Sequence, residues 1–398
     1  MRFDQIALLN PSITIRKGAL TPFLDMAALP LHGRDVPIVS EKPFTGSGAR
    51  FQKGDTLIAR ITPCLENGKG AQIRHLRNEA AGFGSTEFIV ARGKDDRDAD
   101  FIYYLTRHED FRAEAIKRME GTSGRQRVAW QQIASIEVPD ISSKNRRDIA
   151  AILGALDDKI ELNRKTAATL EEMARALYRS WFVDFDPVWA KAEGRTPAHM
   201  DEATAALFPD SFGDDGMPVG WELKPLGNFL TLNYGKALKK ELREAGPYPV
   251  YGSGGTDSSH KKALVNEPTI IVGRKGTVGS LFWEPRGCWP IDTVFYVSSK
   301  LPMPYLFRAL QELPLSEMNT DAAVPGLNRN NAYRLEVIQP KEPLLVAFNE
   351  LAGKWQEKID ALADQNLTLA ALRDTLLPKL MSGELRVGEA QGLVEAVA

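Results

Sequence analysis

Cysteine is scarce in this chain. There are 2 in 398 residues, Cys64 and Cys288, far apart and outside any paired motif. That excludes a disulfide framework and a cysteine-based zinc site, and it fits a reducing compartment, the cytoplasm. Histidine is nearly as sparse: His32, His75, His108, His199 and His260 have no metal-ligand spacing. No apolar run is long enough for a membrane span. The opening Met1-Arg2-Phe3-Asp4-Gln5 carries an early acid and no apolar core behind it, unlike a secretory signal. An excess of positive charge is missing too, since the net charge is −2. A globally basic nucleic-acid binder is therefore excluded, and any such role must come from local patches. What remains, 43% hydrophobic and 26% charged, is an ordinary globular composition with room for two or more domains.

One pattern organises the chain. Apolar or small residues recur at Ile149, Leu153, Leu156, Ile160, Ala167, Leu170, Ala174, Leu177 and Trp181, with Asn163 as the polar member. Steps alternating between four and three are the a/d seam of a two-helix coiled coil. The seam returns 199 residues on, without a gap, as Phe348, Ala352, Trp355, Ile359, Leu362, Asn366, Leu369, Arg373, Leu376 and Leu380. Lys159-Ile160 reappears as Lys358-Ile359. Two such helices, each closing a long segment, indicate two copies of one unit, which pack about a pseudo-twofold axis.

Taken in order, residues 1–141 read as a mixed α/β domain. Thr56-Leu57-Ile58-Ala59-Arg60 and Glu87-Phe88-Ile89-Val90-Ala91 are strands, residues 98–118 a helix, 120–127 a loop and Ile136-Glu137-Val138 a closing strand. Ser142 or Ser143 caps the first seam helix, assigned to 142–185. Residues 186–220 are rich in Asp, Gly and Pro and read as a linker, with one short helix near Glu202–Leu207. A second domain, 221–341, opens at Trp221 and contains the strands 269–274 and 293–297. It closes with Leu335-Glu336-Val337, again 199 residues after its counterpart. The second seam helix takes 342–383, with a kink expected at Pro378, and 384–398 form a tail. Thr56–Arg60 looks like Thr269–Arg274, and Phe88-Ile89-Val90 like Val294–Val297, at a different offset.

Several segments together resemble the specificity subunit of type I restriction–modification systems. They are Gly121-Thr122-Ser123-Gly124-Arg125-Gln126, Ala176–Phe182, Gly220-Trp221-Glu222 and Val250-Tyr251-Gly252-Ser253-Gly254-Gly255. Ile271–Gly279 and Leu376-Leu377-Pro378-Lys379-Leu380-Met381-Ser382-Gly383-Glu384-Leu385 complete the set. The resemblance spans essentially the whole chain, in the family's order. It implies an α+β fold: two mixed α/β target-recognition domains joined by two long antiparallel helices that form a coiled coil, with a pseudo-twofold internal repeat. It implies a non-catalytic reader of an asymmetric, bipartite target on double-stranded DNA. Such a reader positions methylation subunits, expected as two, and restriction subunits, also two. S-adenosylmethionine, Mg and ATP belong to those partners; this chain needs no cofactor or metal, and no membrane. The N-terminal domain departs from the pattern. It begins Phe3-Asp4-Gln5-Ile6 and lacks an opening like Trp221-Glu222, so its first strand is the least defined part.

Loop side chains carry the case for DNA. The first domain offers Arg60, Lys69, Arg74, Thr122, Arg125, Gln126, Arg127 and Gln131. The second offers Tyr251, Ser253, Lys261, Lys262, Arg274, Lys275, Asn328, Arg329 and Asn330, with Asn331 beside them. Arg and Lys neutralise phosphates, Arg bonds a guanine edge with two parallel hydrogen bonds, and Asn or Gln suits adenine. Any one of these alone reads as a solvated turn residue; the set on matching loops of two copies points to DNA. At the helix ends, Tyr178, Trp181, Phe182 and Phe185, and Leu376, Leu377, Leu380 and Met381, read either as burial against the chain's own domains or as a docking surface for methylation subunits.

Two other function classes compete. Asp210, Glu222 and Lys224 match the short nuclease pattern of two carboxylates and a lysine around Mg²⁺, with the first member in the linker-like stretch. A coiled-coil adaptor that binds no DNA would need the helices alone. A methyltransferase would need an Asn/Asp-Pro-Pro-aromatic motif, and the chain has none.

Overall fold

The computed structural model describes residues 1–36, 40–77, 80–122, 124–318 and 326–396. They form two compact units, Met1–Lys165 with Ala363–Ala398, and Thr166–Leu362.

The first unit starts with a short turn of 3-10 helix, Phe3–Gln5, and eight strands: β1 (Ala7–Leu9), β2 (Leu20–Leu24), β3 (Ser40–Pro43), β4 (Ala49–Gln52), β5 (Thr56–Ala59), β6 (Gly70–Gln72), β7 (Ala81–Gly84) and β8 (Phe88–Gly93). Helices α1 (Ala99–Arg107) and α2 (Glu109–Lys117), strands β9 (Met119–Glu120) and β10 (Arg127–Val128), helix α3 (Trp130–Ala134) and the long α4 (Ser143–Phe182) follow. Strands β1-β8-β5-β6 form one antiparallel sheet and β3-β2-β7-β4 a second. Every residue of β5 is buried, because its Leu57 and Ala59 meet Leu24 and Phe51 of the second sheet while Ile58 joins the core under α1. A strand covered on both faces reads as a continuous apolar run, as Thr56–Ala59 does. Helix α1 buries Phe101, Ile102, Tyr103, Tyr104 and Leu105.

The start of α4 belongs to this unit. Ser142 caps it, its hydroxyl oxygen accepting from the Asn145 N–H at 3.3 Å. Ile149, Leu153, Leu156 and Ile160 pack in one core with Leu369, Leu376 and Leu380. The two segments run antiparallel: Asp157 bonds Arg373 and Asn163 bonds Asn366. Residues 384–398, expected as a tail, instead contain a C-terminal helix, Val387–Glu395, which buries Ala390 in the same core. Its small apolar face was masked by glycines in the sequence.

The second unit contains the rest of α4 and then α5 (Asp186–Ala192) and α6 (Glu202–Ala206). The short helix expected near Glu202–Leu207 is α6, but the stretch 186–220 is not an open linker. Val188 and Phe208 are buried in the unit's core, and Trp181 meets Phe208 edge-on at 5.1 Å. Pro and Gly there make turns between packed pieces. Strands β11 (Glu222–Pro225), β12 (Leu230–Tyr234), β13 (Tyr248–Gly252), β14 (Gly255–His260), β15 (Thr269–Gly273), β16 (Leu281–Glu284), β17 (Trp289–Pro290) and β18 (Val294–Ser299) follow. Then come α7 (Met303–Gln311), α8 (Arg329–Tyr333), β19 (Glu336–Gln339) and α9 (Glu342–Ser382), which continues through Pro378. Strands β12-β18-β15-β16 form an antiparallel sheet and β14-β13-β17 a smaller one.

The sheet order β12-β18-β15-β16 repeats β1-β8-β5-β6, each followed by a nine-residue helix, α7 or α1. The chain's opening fits the repeat as well. The Phe3 N–H bonds the Ile136 carbonyl at 2.8 Å, as the Leu226 N–H bonds the Leu335 carbonyl at 2.7 Å. Residues 335 and 136 are again 199 apart. Met1-Arg2-Phe3 thus takes the place of Lys224-Pro225-Leu226, and β1 the place of β12. The departure from the Trp221 pattern leaves the first strand in position.

Candidate functional site

Backbone hydrogen bonds fix which positions of the two units correspond. The Val128 N–H bonds the Arg60 carbonyl at 2.9 Å, and the Leu327 N–H bonds the Arg274 carbonyl at 2.8 Å. The Arg60 N–H bonds the Glu87 carbonyl, and the Arg274 N–H the Thr293 carbonyl. Arg60 and Arg274 are therefore one position, just beyond β5 and β15. The match of Thr56–Arg60 with Thr269–Arg274 is anchored at the arginines. Helix α3 and helix α8 lie 199 residues apart, so Trp130 corresponds to Arg329 and Gln131 to Asn330. Along the edge strand, Leu9 pairs with Ala91 and Leu232 with Val297. Counting two residues on matches Pro11 with Tyr234, although β1 ends at Leu9 and Asn10 takes φ +47°, while β12 stays paired through Tyr234.

In the second unit these positions form a cluster. The Arg274 guanidinium lies 4.8 Å from the Tyr234 ring centre and 5.8 Å from that of Phe295. Arg329 lies 5.1 Å from Tyr234 and 5.9 Å from Tyr333. Tyr234 is 50% exposed. Stacking on rings orients the two flat cations while desolvating them only in part. The Arg274 Nη1 donates to the Asp292 carbonyl at 3.1 Å. Among the described residues no carboxylate pairs with Arg60, Arg274 or Arg329, and the Arg60 and Arg329 Nε atoms are buried without a hydrogen-bond partner. The loop after β15 holds Arg274 and Lys275 in place. A Cβ on Gly273 would stand 2.2 Å from the Thr277 carbonyl oxygen, and Gly279, at φ +73°, would bring one to 2.4 Å from the Leu315 backbone. These clashes explain two glycines of the Ile271–Gly279 segment. In the first unit, Arg60 lines a cavity of about 450 Å³ with Asn10, Pro11, Arg50 and Thr86.

The other expected residues scatter more widely. Thr122, Arg125, Gln131, Lys262, Lys275, Asn328 and Asn330 are exposed; Ser123 lies outside the described residues. The Gln126 carbonyl accepts from the Thr62 N–H at 3.0 Å. Arg127 is held by Glu87, its Nε 2.9 Å from Oε1, and this hydrogen bond raises its already high pKa. Lys69 donates to the Met26 carbonyl at 3.0 Å, and Lys261 pairs with Glu244 at 2.6 Å. The Asn328 side chain accepts from the N–H groups of Asn330 and Asn331, capping α8. Ser253 joins two loops: its hydroxyl oxygen accepts from the Thr277 N–H, and its carbonyl from the Ser280 hydroxyl.

Two expectations are corrected, for Tyr251 and for the helix ends, and Arg74 lies apart from Arg60. Thr56 pairs with Gln72, which puts residue 74 beyond the opposite end of β5, where Arg74 meets Asp158 at 2.9 Å. Tyr251 is a core residue; its hydroxyl donates to Glu284 at 3.1 Å, and burial raises its pKa. The helix-end apolar residues are not an open docking surface. Tyr178, Trp181 and Phe182 are buried against Tyr305 and Phe348 of their own unit, with Phe185 half-buried against Trp221. Leu376, Leu377, Leu380 and Met381 are buried in the core of theirs. Helical spacing shows that a face is apolar but not what covers it. Conversely, Pro11, Trp130 and Tyr234 carry no charge or amide that singles them out in the sequence. Carrying the 199-residue offset back from Ile136 would have reached Trp130 and paired it with Arg329.

The nuclease pattern finds no buried centre. Glu222 and Lys224 pair with each other at 3.1 Å on β11, with the Glu222 side chain 69% exposed, and Asp210 bonds its neighbour Ser211. Among the described residues no three His, Cys, Asp or Glu gather as a metal site, and no helix is long and apolar enough to cross a membrane.

Residues 218–353 match the family model described as type I restriction modification DNA specificity domain. The chain is 26% identical to the type I restriction enzyme HindI specificity subunit of Haemophilus influenzae, over 84% of this chain and 87% of that protein. It is 28% identical to the MjaIX specificity subunit of Methanocaldococcus jannaschii, over 74% and 71%. The crystal structure of a type I restriction–modification S subunit from M. genitalium has the same fold, with a TM-score of 0.58 and 18% identity, covering 96% of this chain and 95% of that one.

Proposed function

We propose that the chain is a specificity subunit of a type I restriction–modification system and that it reads an asymmetric, two-part DNA target, one half with each unit. The observation that carries this reading is the repeat itself. One backbone scaffold occurs twice, with Arg60 and Arg274 at the same strand end, while the side chains around them differ. Two like scaffolds with unlike surfaces suit two unlike half-sites. A net charge of −2 suits a subunit whose grip on phosphates is completed by partners.

In this reading the chain is not itself catalytic and holds no cofactor. Methylation subunits, two of them, bring S-adenosylmethionine; restriction subunits, also two, bring Mg²⁺ and ATP, and all work in the cytoplasm. The long helices α4 and α9 act as the spacer between half-sites. The test is to purify the chain with its methylation subunits and map every methylated adenine in a DNA library. The expected result is one asymmetric target in two parts separated by a fixed gap, with no methylation or cutting by the chain alone. A single continuous or palindromic target would overturn the reading, and so would Mg²⁺-dependent cutting by the chain alone that Asp210→Ala abolishes.

A further inference from the structure

We propose that two positions make the half-sites differ, Pro11/Tyr234 and Trp130/Arg329, while Arg60/Arg274 supplies a contact common to both; this rests on the DNA-reading function above.

The geometry separates shared from divergent chemistry. At the shared position an arginine leaves the same strand in each unit, its carbonyl tied to the same neighbouring segment. A second shared feature is an exposed amide one residue into the short helix, Gln131 or Asn330. Next to these, the second unit places Tyr234 and a second arginine. Arg274 and Arg329 both stack on the Tyr234 ring, at 4.8 and 5.1 Å, and no carboxylate neutralises either among the described residues. Two oriented guanidiniums can each bond O6 and N7 of a guanine edge in the major groove. The first unit does not repeat that at the matching positions; its second cavity arginine, Arg50, is turned instead to the Ile13 carbonyl at 2.8 Å and the Phe44 ring at 5.0 Å. Pro11 offers no side-chain hydrogen bond, and Trp130, 39% exposed, carries one indole donor on a flat apolar ring. That ring suits a thymine methyl or simple contact with the edge of a base, not a bidentate bond. The second unit's half-site should therefore require a guanine where the first unit's half-site does not.

The experiment uses the full chain with its methylation subunits and reads methylated sites from a random DNA library. The wild-type complex first defines both half-sites; failure at this step counts against the two-part reading and leaves the residue assignment aside. Arg329→Ala and the charge-keeping Arg329→Lys should each relax selection at one guanine by about 10- to 100-fold, in one half-site only. Arg329→Lys guards against an Arg329→Ala chain that fails to fold. The import variant Pro11→Tyr with Trp130→Arg should create a guanine requirement in the other half-site and leave the first guanine untouched. Equal loss of methylation at every sequence would make Arg329 a phosphate contact and overturn the proposal. Unchanged base selection in the import variant would overturn it as well.

Discussion

Arg308 is 1% exposed, yet it lies among acceptors: Glu171 Oε2 at 2.8 Å and Gln356 Oε1 at 3.1 Å. In the other unit Arg373 meets Asp157 at 2.6 Å, and Asp157 also accepts the Tyr104 hydroxyl at 2.7 Å. Asp157 and Gln356 are 199 residues apart, so the same helix position is polar in both units, with different partners. A buried charge without its counter-ion is expensive, and Arg373→Ala should destabilise the chain by about 3–5 kcal/mol. Urea unfolding measures this, and adding Asp157→Ala should recover part of the loss, since it removes the stranded carboxylate. Glu171 gives a pH signature. Burial pushes its carboxyl up, but the hydrogen bonds and charge of Arg308 outweigh burial and hold it below the ordinary glutamate range. A depressed folded pKa stabilises above the unfolded value, about 4.3, and that contribution disappears as pH falls through the lower folded value. Thermal unfolding from pH 7 to 3 should therefore show a steeper acid loss for the wild type than for Glu171→Gln, which starts lower at neutral pH. None of these partnerships was legible from residue types. A seam position occupied by Arg373 looks like a flaw until Asp157 is opposite it.

Among the elements, the seam was the most legible because its period is set by helix geometry alone. Ile149, Leu153, Leu156 and Ile160 are buried, as are Phe348, Ala352, Leu362 and Leu369. The polar Asn163 also finds its reason here. Its side-chain amide donates to Gln365 at 2.8 Å and to Asn366 at 3.0 Å, which favours one register over slipped ones. Helix α4 has 40 residues, about 60 Å. Inserting one heptad in α4 after Lys165 and one in α9 after Leu362 preserves the seam phase and adds about 10 Å. The gap between methylated half-sites should widen by about three base pairs, with the bases in each half unchanged. A change of half-site bases in that mapping would sink the spacer role. The ends of the helices were less legible. The same apolar pattern that marks Trp181 and Leu380 as buried fits a partner's surface equally well, and only the positions of Phe348 and the first unit's core decide for burial within the chain.

At the scale of the molecule, the proposed division into two readers leads to a swap. Replacing residues 1–141 with the matching segment of another specificity subunit should change one half of the methylated sequence and spare the other, as read by adenine mapping. The sequence by itself determined the repeat, the long helices and the family resemblance, because a 199-residue offset and a 3.5-residue period persist in the order of residues whatever surrounds them. It also placed Arg60, Arg274 and Arg329 among the loop cations. Only the tertiary structure decided which of them correspond and which are spoken for. Arg127 is committed to Glu87 and Arg74 to Asp158, while Arg274 and Arg329 converge on Tyr234. That difference comes from strand register and hydrogen bonds between segments more than 50 residues apart, such as Val128 with Arg60. Insertions between strands change the sequence offset without changing the register, so local patterns could not reveal it.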